Sequence, residues 1–253
     1  MKRLLVLACV LSGLGLPAQA LEPIDTDGPD FVESSEVVPR GHFQYEVGFT
    51  SLSDSPAAPG SALMVTPMLL KYGVAKDVEI RLAPSGFMRQ NGESAWGDIA
   101  MGVKWHSQDR DPALGRAAVS WLLHVDTPSG THPFKGQALR PSLRSVITWD
   151  LPQDYALGLM PGIKSDTGDD GHRFTALVFG AVLNKRLNDQ WRVFVELSAP
   201  QIAAPADGGV LASWDLGAAY LFSHDLQLGV RLGVGANPNS PSRYGLLELA
   251  QRF

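Results

Sequence analysis

The sequence predicts an all-β fold, a transmembrane antiparallel up-and-down β-barrel of about 12 strands with short periplasmic turns and longer extracellular loops. Three observations predict it. Past residue 20 the chain alternates apolar and polar residues with period two, in segments of roughly ten residues. The links between segments alternate short and long. Aromatic residues gather at the short-link ends of the segments.

The alternation is clearest in Leu226–Gly235. Leu226, Leu228, Val230, Leu232 and Val234 fall on one face, and Gln227, Gly229, Arg231, Gly233 and Gly235 on the other. A repeat of 180° per residue is the signature of a strand. The same rule separates Phe43, Tyr45, Val47 and Phe49 from Gln44, Glu46, Gly48 and Thr50, and Ile99, Met101, Val103 and Trp105 from Ala100, Gly102, Lys104 and His106. Strands are predicted over 42–51, 62–72, 77–86, 97–107, 117–126, 139–150, 154–165, 173–184, 190–199, 210–222, 226–236 and 243–253. Most have the length a tilted strand needs to cross a bilayer.

Short links follow the even-numbered segments, as in Gly73–Asp77 and Ser223–Asp225. Long links, rich in Gly, Pro, Ser and Asp, follow the odd-numbered ones; 108–116 is longer than the other short links. Tyr72, Trp105, Trp149, Tyr155, Trp191, Phe222 and Phe253 share the parity of the apolar face and sit at short-link ends. That placement predicts an outward girdle at one membrane interface, where a soluble sandwich would scatter its aromatics along the strands. Backbone polar groups in hydrocarbon must bond internally, so spanning strands have to close into a ring.

The 253 residues are 45% hydrophobic and 19% charged, with one Cys and a formal charge of −5. This balance excludes a disulfide scaffold and a disordered tail protein, and gives no basic footprint for nucleic acid. Residues 1–20 read as a cleaved signal peptide: Lys2 and Arg3, an apolar run from Leu4 to Leu16, then Ala18-Gln19-Ala20. A lipoprotein-type reading of Val6-Leu7-Ala8-Cys9 leaves too short an apolar core. Cleavage after Ala20 removes Cys9, the only thiol. Residues 21–41, rich in Pro and Asp, are a periplasmic leader or a lumen plug in which Asp30 and Glu33 meet inward arginines; the solvated leader is the favoured alternative. The barrel occupies 42–253.

By parity, the lumen-lining bases are Lys71, Arg81, Lys104, Arg140, Arg144, Lys164, Arg192, Arg231 and Arg252, and the acids are Glu46, Glu79, Asp126, Glu196, Asp215 and Glu248. Nine bases against six acids predict a polar, weakly anion-favouring pore; in the alternative, the charges pair across strands and close it.

Val38–Thr50 resembles the opening strand of a proteobacterial outer-membrane family labelled as transporters or as components of the meta-pathway of phenol degradation. Leu69–Leu82, Gly97–Trp105, Trp214–Phe222 and the lead Asp30–Ser35 are similar to that family too. The resemblance implies passage of small solutes, aromatic ones among them, across the bacterial outer membrane, and supplies no catalytic residues. The final segment, with Leu247, Leu249 and terminal Phe253, resembles the signal read by the outer-membrane assembly machinery; Gln251 and Gly245 depart from it.

An enzyme is not expected. There is no Gly-x-Ser-x-Gly elbow and no Cys/His zinc array, and no cofactor is expected. His124 with Asp126 is the best candidate dyad, and Asp169-Asp170-Gly171-His172 reads as a solvated turn before a cation site. The alternative to a channel is a closed structural or interaction barrel whose loops, chiefly 87–96 and 127–138, meet a partner.

Overall fold

Strands that alternate over ten or more residues offer one face to lipid and one to the interior, and their edges stay costly until the first pairs with the last. The computed structural model, which describes residues 21–168 and 170–253, closes in this way. The chain forms β1 (Phe43–Leu52), β2 (Leu63–Val65), β3 (Met68–Ala75), β4 (Val78–Pro84), β5 (Phe87–Gln90), β6 (Glu93–Trp96), β7 (Ile99–Gln108), β8 (Ala118–Thr127), β9 (Arg140–Leu151), β10 (Tyr155–Thr167), β11 (Arg173–Arg186), β12 (Trp191–Ile202), β13 (Val210–Ser223), β14 (Leu226–Gly235) and β15 (Arg243–Arg252). Twelve of these make the wall. Each neighbours the next in sequence and all pairings are antiparallel, with β1 paired to β15 from Gln44↔Arg252 to Leu52↔Tyr244. Phe43 and Phe253 exchange backbone bonds at the seam, at 3.1 and 2.8 Å.

The other three strands depart from the predicted layout. The second segment, expected as one strand over 62–72, is split into β2 and β3 at Thr66–Pro67. Pro67 has no N–H to give the ladder, and its carbonyl accepts Gly48 N at 2.8 Å. The expected loop 87–96 is a hairpin, β5–β6, which pairs with β2 and extends the sheet at the long-loop end. Its turn, Asn91-Gly92, has φ of 51° and 82°, the left-handed pair of a type I′ turn. The long short-side link 108–116 is closed by an Asp111↔Arg116 bridge around a single 3-10 turn at Pro112–Leu114.

Burial follows the alternation with inside and outside inverted relative to a soluble protein. Leu216, Leu232 and Leu123 lie exposed on the outer wall, while Lys104, Glu79 and Glu196 are at most 1% exposed. The outer apolar residues face lipid, and the inner charges face one another.

A cation placed midway along a lipid-facing row tests this orientation. Val230→Arg is expected to destabilise the barrel by about 2–4 kcal/mol, read by equilibrium unfolding in phospholipid vesicles. Arg231→Lys, one residue on and facing inward, is expected to leave lipid insertion intact.

Candidate functional site

The interior is organised around residues 21–41, which lie inside the barrel. The segment enters at the short-turn end, where Ile24 N bonds His224 O at 2.6 Å. It crosses the lumen and returns to the same end, where Arg40 bridges Gly73. Apart from that bridge it has no ladder of its own, so its N–H groups need other acceptors. Wall carboxylates supply them. Glu46 accepts Asp27 N and Gly28 N at 3.1 Å; Glu196 accepts Phe31 N and Val32 N at 2.8 and 2.7 Å; Glu79 accepts Val38 N at 2.7 Å.

The hub is Asp27. Its Oδ2 lies 2.8 Å from Lys71 Nζ and 2.6 Å from an Arg81 guanidinium nitrogen; its Oδ1 lies 2.6 Å from Lys104 Nζ. Lys71 also pairs with Glu46 at 2.6 Å, and Arg81 with Glu33 at 2.5 Å. Burial pushes the Asp27 carboxyl up, but Arg81, Lys104 and Lys71 outweigh it and hold the group well below the usual carboxylate range. Burial likewise opposes ionisation of Glu33, and Arg81 leads the cations that bring its carboxyl below the ordinary value.

The remaining residues expected to line the lumen fall into three groups. Near the segment, Arg144 meets Glu33 at 3.3 Å and Arg192 meets Asp30 at 2.9 Å. Arg231 stands 3.6 Å from Glu196 and over the Tyr244 ring, and the Glu248 carboxylate packs beside Gly28. Toward the long loops, Arg140 gathers Asp98, Asp126 and Asp166 at 3.0, 3.8 and 3.6 Å; Lys164 bonds Asp166 and Gln201; Asp215 accepts bonds from Ser198 and Tyr244. At the short-turn rim, Arg252 pairs with Asp225 at 2.7 Å and donates to Glu22 O. Of the aromatics expected in the girdle, Tyr72, Trp105, Tyr155, Trp191, Phe222 and Phe253 are exposed on the outside and Trp149 is half-buried.

Sequence reasoning missed Asp27. The available signal was the run 21–39, which holds six acids and no Lys or Arg, in a chain whose inward parity is basic. It also missed Asp98, which accepts Gly130 N and Gly136 N and pairs with Arg140, so tying the 127–138 loop to the mouth. The candidate dyad His124–Asp126 does not form: His124 Nε2 is buried without a partner, and Asp126 turns to Arg140. His106 Nδ1 lies 2.8 Å from Ser35 O and 3.3 Å from Ser120 Oγ, Ser120 Oγ donates to Ser35 O, and His106 Nε2 lies 3.0 Å from Asp109 Oδ1. In the 169–172 turn, Asp170 accepts His172 N; Asp169 and residues 1–20, expected as a signal peptide, lie outside the described residues. Among the described residues, no group of His, Cys, Asp and Glu is arranged to hold a metal ion.

The lumen has two chemically different walls. The charged cluster sits on β1, β3, β4 and β7. Opposite it, Leu122, Val146, Met160, Val182 and Phe194 of β8–β12 form an apolar cluster into which Val32 packs, with Phe31 against it. Wall glycines make room for the segment. A Cβ at Gly180 would lie 2.6 Å from Val32 Cγ2, and one at Gly229 would lie 2.6 Å from Pro29. A further space of about 980 Å³ opens between the segment and the β9–β14 wall at the short-turn end, bordered by Asp25, Asp30, Asn184 and Arg192.

Two outcomes follow. Gly180→Leu is expected to unseat residues 22–40 while the barrel still forms, since overpacking of this kind costs about 1–3 kcal/mol; proteinase K should then trim the N-terminus and leave the wall intact. A carboxyl whose folded pKa is depressed stabilises the fold at all pH values above its unfolded value of about 3.9, and that contribution is lost as pH falls through the folded value. The segment is therefore expected to stay protected from about pH 8 to about pH 5. Pepsin cleavage within it should begin only in stronger acid, below about pH 3.

No curated relative matches the chain. Among solved structures, the NanC porin superposes with a TM-score of 0.55 at 11% identity, covering 82% of this chain and 97% of its own. The KdgM porin, solved in complex with disordered oligogalacturonate, superposes with a TM-score of 0.53 at 8% identity, covering 84% and 98%. These likenesses are of fold. The family described as "Putative MetA-pathway of phenol degradation" matches residues 26–253, all of the chain after its first twenty-five residues. This chain, a closed twelve-stranded barrel of the bacterial outer membrane, belongs to that family.

Proposed function

We propose that the chain is an outer-membrane channel for small solutes, aromatic ones among them, closed at its periplasmic half by residues 21–41. One observation carries this reading. The segment is held by side chains, through Asp27, Asp30, Glu33 and the wall carboxylates Glu46, Glu79 and Glu196, and shares no ladder with the wall beyond a single bridge at Arg40. Because the segment shares almost no backbone ladder with the wall, its withdrawal would break side-chain pairs and leave the closed hydrogen-bonded ring intact. The family's phenol-pathway description supports small aromatic solutes. In this reading, residues 1–20 direct export and are removed after Ala20. The 21–41 segment is the plug, and the exposed aromatics at the short-turn end seat the barrel at the periplasmic interface. The strand ending in Phe253 is the part read by the assembly machinery, and the reading gives the protein no catalytic role.

Planar-bilayer recording of residues 21–253 tests this. The unaltered chain is expected to stay quiet at low voltage. The full-length double variant Asp27→Asn/Glu33→Gln should open in discrete steps that shrink when chloride is replaced by a bulky anion. A double variant that keeps the heat-modifiable SDS mobility of a folded barrel and passes no current at any voltage would leave the closed structural barrel as the answer.

A further inference from the structure

We propose that the seat of Asp27 and Val32 is a binding site for small amphipathic carboxylates, an acid group on an apolar and preferably aromatic body, and that the plug occupies it as a tethered stand-in. The inference rests on the channel reading above and names the solute class that would pass.

The argument begins with register. Lys71 of β3 stands directly opposite Arg81 of β4, and Glu79 of β4 opposite Lys104 of β7. Like charges placed directly across a ladder repel, so Lys71 and Arg81 are tolerable only with anions between them. The wall supplies Glu46, close to Lys71, and Glu79, 3.4 Å from Arg81 Nε and 4.0 Å from Lys104. Both carboxylates also accept plug N–H groups. Three buried cations thus share two wall acids, and Asp27 completes the set with one carboxylate touching all three. With the plug withdrawn, Asp27 leaves a place for one carboxylate among Lys71, Arg81 and Lys104, and Glu33 leaves a second between Arg81 and Arg144; the first, touching three cations, is the acid seat proposed here, and the Arg81 guanidinium suits it.

The apolar half begins on the next strand. Leu122 of β8 stands directly opposite Lys104 in the ladder. Leu122, Val146, Met160, Val182 and Phe194 continue the surface that Val32 covers. An acid head at Lys71, Arg81 and Lys104 therefore has an apolar surface beginning one strand away. Gly102, opposite Arg81, carries no side chain, and the His124 ring lies over it. His124 is 8% exposed and its Nε2 has no hydrogen-bond partner, so one polar atom beside the cluster is left for a ligand to satisfy. In the plug, Asp27 supplies the acid and Phe31 with Val32 the apolar body.

Benzoate is the probe, with benzyl alcohol as its neutral counterpart and chloride as the plain anion. Residues 21–253 contain no cysteine, so Val32→Cys gives one thiol that reports whether the seat is filled by the plug. Sodium benzoate is expected to raise the rate of maleimide modification by about tenfold, with benzyl alcohol and equal sodium chloride leaving it unchanged. Acceleration by benzyl alcohol to the same degree would overturn the role of the carboxylate, and acceleration by chloride would reduce the effect to screening. No acceleration by any of them would overturn the site. Should Val32→Cys not fold, Asp27→Asn gives the second measurement. Benzoate should bind that full-length variant about tenfold more tightly than the unaltered chain by calorimetry, and adding Arg81→Gln should abolish the gain. Equal binding with and without Asp27→Asn would overturn the proposal. Current through Asp27→Asn/Glu33→Gln with no benzoate effect in either assay defeats this inference alone. Benzoate-driven release of the plug without any current defeats the channel reading and keeps the site.

Discussion

The pairing of β1 with β15 is the contact on which the rest of the structure depends. Each of the other wall strands has a neighbour in sequence on both sides, but these two would each leave a row of unbonded N–H and C=O groups in hydrocarbon, at several kcal/mol per group. Their nine-residue register, from Gln44↔Arg252 to Leu52↔Tyr244, removes both edges at once. Closure also fixes what is inside. Once the ring forms, alternation places Lys71, Arg81, Lys104, Glu46, Glu79 and Glu196 in one shared space that lipid cannot enter. Charges confined together in this way must pair or be solvated, and the interior is a solution to that requirement.

The solution differs between the two sides of the ring. On β1, β3, β4 and β7 the wall carries opposite charges at neighbouring heights, and the plug adds the acids that balance it. On β8–β12 the inward positions are Leu122, Val146, Met160, Val182 and Phe194, and the plug answers with Val32 and Phe31. A segment of such composition has little reason to order in water. Its Pro and Asp residues disfavour strands and helices, and it orders here because wall carboxylates accept the N–H groups that a sheet partner would otherwise satisfy.

The twelve wall strands were legible in the sequence because each repeats its face every second residue over ten or so positions, as Leu226–Gly235 does without a break. The split at Pro67 was less visible, because Leu63 to Tyr72 reads as one apolar stretch and the missing N–H is a single atom. The β5–β6 hairpin was signalled by Asn91-Gly92, yet flanking residues such as Arg89, Gln90 and Glu93 do not alternate like a membrane strand. Which residues face inward could be read from parity. Contacts of Asp30 and Glu33 with inward arginines were one alternative the sequence offered; those of Asp27 were not, since it lies 44 residues from Lys71 and 77 from Lys104 and no local pattern connects them. The composition of residues 21–39, acidic without a single Lys or Arg, was a further trace of the basic cavity beside it.

The plug enters and leaves by the same end, with Ile24 at the β13–β14 turn and Arg40 beside Gly73 at the β3 end. Both ends of the inserted loop therefore hang from the periplasmic rim, and nothing has to thread past the external mouth for it to come out. In the channel reading, withdrawal would therefore break side-chain pairs and leave every wall pairing in place, so one rim serves as both anchorage and exit.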